Sequence, residues 1–187
     1  MIGLTLLVLT IVFTSLFYSG RTTARTRAGI VMKSDLMMQF HQIRFQLLNL
    51  YKQKNGETLI GVEGTRARKG EVYFLTTSLK QRKGVGEVGY KIITDYDGTD
   101  YLAYTEFPYP RERRFAFNNS QDKWKPVSRL IQGLTVEYEL NRQWKKSWKY
   151  DDAPSRIKVT FWYSQDENDK TLTPFSFIVV PGIKSIF

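Results

Sequence analysis

The chain has 187 residues, 42% hydrophobic and 14% aromatic, which is enough for one domain with a packed core and an aromatic content that favours strands. A formal net charge of +10 points to a polyanionic partner, whether nucleic acid, an anionic membrane surface or an acidic protein face. The absence of cysteine excludes a disulfide framework and a thiolate metal site.

From the N-terminus, Ile2 to Phe17 carry no charge and no proline, and their polar members are Thr5, Thr10, Thr14 and Ser15, whose hydroxyls can bond back to a helix backbone. Residues 1–18 read as a transmembrane segment of roughly 27 Å, with Tyr18 at the interface. No basic residue precedes the apolar run, as a cleaved signal would require, and a buried core helix this uniformly apolar would need protein on all sides. Arg21, Arg25 and Arg27 follow the span, and the positive-inside rule taken alone puts that side in the cytoplasm.

Residues 19–55 read as an amphipathic continuation of the same helix. Met32, Leu36, Phe40, Ile43, Leu47 and Leu50 recur at helical intervals and predict a stripe that packs on a sheet. Lys33, Asp35, Gln39, Gln42, Arg44 and Lys52 suit the solvated side, and Asn55-Gly56 is the expected stop. Span and stripe together predict a helix of about 50 residues, roughly 75 Å long.

Residues 56–187 read as an antiparallel β domain. Strands are predicted over Thr58–Glu63, Glu71–Thr77, Val88–Thr94, Tyr101–Glu106, Leu134–Glu139, Arg156–Tyr163 and Thr171–Val180. Asp97-Gly98 signals a short hairpin between the third and fourth of these. The last two alternate cleanly, with Ile157, Val159 and Phe161 on one face and Phe175, Phe177 and Val179 on theirs.

Four patterns bear on chemistry. Gly84, Gly86 and Gly89 match a dinucleotide fingerprint, but a basic loop precedes them and a strand follows, so a glycine loop is expected. Asp95, Asp97, Asp100 and Glu106, and the second acidic tip Asp166–Asp169, read as turns, with weak Ca²⁺ binding as the alternative. His41 is the single histidine, which argues against a transition-metal site or a Ser-His triad, and no carboxylate pair is marked for acid–base work. Basic clusters occur at Arg66–Lys69, Lys80–Lys83, Arg111–Arg114 and Lys145–Lys149. In the last, Trp144, Lys145, Lys146, Trp148 and Lys149 interleave rings with cations, as nucleic-acid binders do, or dock their rings on the sheet.

These pieces resemble a pseudopilin. Gly3-Leu4-Thr5-Leu6-Leu7-Val8-Leu9 is similar to the processing site of that family, with Val8 where members usually carry glutamate. Ile131–Tyr138, Trp144, Trp148, Ala153–Thr160 and the closing Phe175–Pro181 are similar to J-type minor pseudopilins.

The resemblance implies an α+β, pilin-like fold, a long N-terminal helix on an antiparallel sheet. It implies cleavage after Gly3 with methylation of Leu4, and a helix whose Leu4, Leu6, Leu7, Val8 and Leu9 meet partner helices. A tip subunit can lack the glutamate, as K-type members do. The expected role is a non-enzymatic minor subunit of a type II secretion pseudopilus or type IV pilus, in the complex that primes assembly, with no cofactor. Its partners would be other pilin-like subunits, the inner membrane and secreted substrate. The β domain would lie on the extracytoplasmic side of the bacterial inner membrane. A membrane-tethered, DNA-uptake nucleic-acid binder is the alternative, and a reverse-oriented anchor with a cytoplasmic domain is a third reading.

Overall fold

Apolar–polar alternation after Thr58 produces strands at each of the seven predicted places, and shorter strands complete two sheets. The computed structural model describes residues 33–52, 58–63, 68–109, 124–164 and 171–184. The chain divides into two units, Met1–Met37 and Met38–Phe187. Of the first, the opening turn of one helix is described; the second holds the rest of that helix, α1 (33–48), and every strand.

The strands are β1 (Leu50–Tyr51), β2 (Leu59–Val62), β3 (Glu71–Thr76), β4 (Gly86–Thr94), β5 (Asp100–Pro108), β6 (Lys125–Ser128), β7 (Ile131–Leu140), β8 (Gln143–Lys145), β9 (Ile157–Ser164), β10 (Leu172–Val179) and β11 (Ile183–Lys184). Seven form one sheet in the order β11-β1-β3-β4-β5-β6, with β2 also on β3, and four form a second in the order β10-β9-β7-β8. All pairings are antiparallel except β1 with β11. The Asp97-Gly98 hairpin forms as predicted: Gly98, at φ 83°, takes the left-handed turn, and its N–H donates to the Asp95 carbonyl.

Register shows which side chains share a face. In the larger sheet Leu59, Phe74, Val88 and Tyr90 line one side, and in the smaller sheet Leu134, Val136, Tyr138, Ile157, Val159 and Phe161 do so; all are buried. The two sides meet: a Cβ on Gly61 would lie 2.2 Å from the Tyr138 ring, so glycine lets β2 approach β7. Backbone bonds stitch the sheets at this edge, Gly61 to Trp148 in both directions and Leu134 to Arg68 and Gly70. The opposite side of the larger sheet carries a second cluster of Tyr73, Leu75, Ala103 and Trp124.

Helix α1 lies against the first of these faces. Ile43 and Leu47 are buried, Phe40 meets Phe175 and Phe177 edge-on at ring distances of 5.7 and 4.7 Å, and Gln39 Nε2 donates to the Val127 carbonyl at 3.3 Å. Gln46 is fully buried. Its Oε1 accepts from the Tyr90 hydroxyl at 2.7 Å, and its Nε2 donates to the Tyr104 hydroxyl at 3.2 Å. Burial pushes both phenols above their ordinary pKa, so they stay protonated.

This architecture corrects the α+β, pilin-like expectation. The molecule is mostly β, with two sheets rather than one, and among the described residues there is no long N-terminal helix. The described helix has 16 residues, roughly 24 Å, and among the described residues no helix is long and apolar enough to cross a membrane. It stops at Leu48, well before Asn55-Gly56, because its final carbonyls are taken. Asn49 Nδ2 donates to the Phe45 carbonyl at 2.7 Å, Thr76 Oγ1 bonds the Gln46 and Asn49 carbonyls at 2.9 Å each, and Thr77 N–H also reaches Asn49. Leu50 is buried as predicted, but as a strand residue paired with Thr76 and Ile183. Gln39, expected in solvent, is 1% exposed.

Replacing Gln46 by Met keeps the volume and deletes the acceptor for the Tyr90 hydroxyl. Gln46→Met is expected to cost about 1–3 kcal/mol in urea unfolding, and clearly less in a Tyr90→Phe background, where that hydroxyl is gone.

Candidate functional site

The interleaved cluster starts from a tight hairpin. Asn141 and Arg142 both have positive φ, 52° and 65°, the geometry of a two-residue turn whose twist matches the strands it joins, and they fold β8 back onto β7. This pairs Trp144 with Glu139. Glu139 is nearly buried, accepts two bonds from the Arg156 guanidinium and a third from Ser155 Oγ, and is held below the usual carboxylate range mainly by Arg156. Arg156 also stands 5.8 Å from the Trp144 ring centre.

Trp148 is 2% exposed: its ring packs on Tyr138 and Tyr150, and its Nε1–H donates to the Asp152 carbonyl at 2.9 Å. Lys146 pairs with Glu63 at 3.1 Å, Lys145 is half-buried, and Trp144 and Lys149 are exposed. The five residues therefore do not form one stacking platform. Trp148 is part of the body, and one of the three lysines already has a carboxylate partner. A cleft of about 310 Å³ opens beside them, lined by Trp148, Tyr150, Asp152 and Ser155 among others, with Asp152 paired to Lys52 at 2.7 Å.

The four carboxylates of the first acidic turn weighed for Ca²⁺ are each engaged elsewhere. Asp95 pairs with Arg129, Asp97 accepts from Thr99 N–H, Asp100 pairs with Lys69 at 2.6 Å, and Glu106 accepts from Lys80 and Gln81 N–H. Among the described residues no three His, Cys, Asp or Glu converge in a way that could hold a metal. Gly84 sits in an exposed loop, while Gly86 and Gly89 belong to β4.

Of the residues predicted to fasten helix to sheet, Leu36, Ile43, Leu47 and Leu50 are buried and Phe40 is half-buried. Met32, the processing residues Gly3 and Leu4, and the partner-helix residues Leu6, Leu7, Val8 and Leu9 lie outside the described residues, as do Arg111–Arg114 and Asp166–Asp169.

A feature that the periodicity missed lies on the other side of α1. Met38 and Phe45, seven residues apart and so on one line of the helix, are 54% and 59% exposed, and His41 between them is exposed too. The sign was in the sequence as large apolar residues off the stripe that reaches the sheet.

No protein-family model matches this chain, and no curated protein matches it either.

Because Glu139 titrates below its unfolded value, the Glu139–Arg156 pair contributes fully above about pH 4.3 and fades as pH falls through the folded value. Arg156→Met should lower the urea midpoint at pH 7, and the gap to wild type should narrow steadily toward pH 2.5.

Proposed function

We propose that the protein is a non-enzymatic assembly subunit, similar in role to the minor pilin-like subunits of type II secretion pseudopili and type IV pili. The observation that carries this reading is the second apolar line of α1. One side of the helix is fixed to the β body by Ile43, Gln46 and Leu47, and the other presents Met38 and Phe45 to solvent. Covering two such side chains against a neighbouring helix would stabilise an assembly by about 1–3 kcal/mol each, a gain a monomer leaves unused. The uncharged sequence Ile2–Phe17, upstream of α1, supplies the apolar surface by which such subunits enter a helical bundle.

In this reading Gly3 and Leu4 form the processing site. Val8, in place of the family's glutamate, suits a subunit at the tip, where no neighbour above needs the carboxylate. The chain is anchored once in the bacterial inner membrane with the β body on the extracytoplasmic side, and its partners are other pilin-like subunits. Catalysis has no part in the role.

Two measurements test it. The double variant Met38→Glu/Phe45→Glu should keep the wild-type melting temperature within a few degrees and lose co-purification with the other pilin-like subunits of its host; retained co-purification would remove the helix from the interface. Tyr96, at the β4–β5 hairpin tip, is fully exposed. In a chain without cysteine, Tyr96→Cys should react with a membrane-impermeant maleimide in intact spheroplasts. Labelling confined to lysed cells would place the body in the cytoplasm and overturn the assignment.

A further inference from the structure

The β3–β4 connection, residues 77–85, carries Lys80, Gln81, Arg82 and Lys83 in succession, all exposed. Its backbone is held at a fixed place. The N–H groups of Lys80 and Gln81 donate to the two oxygens of Glu106 on β5, at 2.9 and 3.0 Å, and the Tyr104 hydroxyl donates to the same carboxylate at 2.5 Å. Lys125, exposed on the edge strand β6, brings a fourth cation by donating to Gln81 Oε1 at 3.0 Å.

Glu106 offsets one of these four charges from beneath the loop. Arg82 and Lys83 make no ion pair among the described residues. The Trp144–Lys149 segment differs: Lys146 is tied to Glu63, and the Trp148 ring is buried.

We propose that Lys80, Arg82, Lys83 and Lys125 form a binding surface for the phosphate backbone of duplex DNA. Closely spaced cations on a loop anchored at Lys80 and Gln81 match a ligand whose charges repeat along a stiff rod, and the anchoring lowers the entropy cost of gathering them. No aromatic residue occurs among residues 77–86, so the loop has no ring on which single-stranded bases could stack. Leu79 and Val85 are half-buried, which leaves the loop without an exposed apolar side chain to enter a bilayer. Binding is then sequence-independent and strongly weakened by salt. Four contacts at about 0.9 counterions each imply a roughly 100-fold loss of affinity between about 50 and 200 mM salt. This inference goes beyond the assembly role and stands without it.

The test is fluorescence anisotropy of a labelled duplex of about 20 base pairs with the full chain in non-ionic detergent, titrated across that salt range. The triple variant Lys80→Ala/Arg82→Ala/Lys83→Ala should bind at least 10-fold more weakly at low salt and show a log–log salt slope shallower by about 2–3. Its melting temperature should stay at the wild-type value, because the backbone bonds to Glu106 remain. Lys146→Ala/Lys149→Ala should stay within about twofold of wild type. No binding by the wild-type chain, equal binding by the triple variant, or a loss confined to the Lys146/Lys149 variant would overturn the assignment. Binding of phosphatidylserine vesicles without binding of DNA would overturn it in favour of a lipid surface.

Discussion

The buried amide of Gln46 ties the helix to the sheet through both of its polar atoms. Gln46 offers its oxygen to Tyr90 and its nitrogen to Tyr104, strand residues 44 and 58 positions away, in a space closed to water. A buried amide left unbonded costs more than a made bond returns, so the pairing fixes the rotation and the height of α1 on the sheet. Much else follows from that placement. The last carbonyls of the helix arrive at Thr76, Phe40 arrives over β10, and the Met38–Phe45 line is left facing outward. The same network runs on from Tyr104 through Glu106 to the β3–β4 loop, so the helix end and the basic loop share one chain of bonds.

Seven strands were legible for two reasons: β7 alternates buried with half-buried residues, while β3, buried on both faces, is a short apolar run. Ile157, Val159 and Phe161 are buried as their spacing implies. Of the strands that went unseen, β1, β8 and β11 have two or three residues apiece, too few for a period to show, and β6 reads Lys125-Pro126-Val127-Ser128, with a single large aliphatic residue and a proline. Their existence depends on partners brought up from elsewhere in the chain. The helix misled in a different way. Periodicity placed Gln39 in water because it is polar, whereas it is buried with a strand carbonyl as acceptor. Periodicity also carried the helix on to Asn55, because the signal that ends it, the Thr76 hydroxyl, lies on another element.

The aromatic-basic cluster shows the same limit at the level of function. In sequence, Trp144 and Trp148 look alike, and the lysines between and after them look free. In the structure one ring is enclosed by Tyr138 and Tyr150 while the other stays partly in solvent, and one lysine is committed to a glutamate 83 residues earlier. Charge is therefore distributed less evenly than composition suggests. Among the described residues Glu63, Asp95, Asp100, Glu137, Glu139 and Asp152 each pair with a cation, while Arg82 and Lys83 have no carboxylate partner.

The parallel contact between β1 and β11 joins Leu50 to Ile183 and Tyr51 to Lys184, bringing the first strand of the body against its last. During synthesis, the sheet that starts at β1 waits with an open border until the chain has been made as far as Lys184, more than 130 residues later. Loop closure over such a span is slow compared with forming the local hairpins β3–β4 and β4–β5. The body is thus completed from its middle outward. Its border stays exposed longest beside the helix end, where a chaperone or a partner strand would have its longest opportunity to bind.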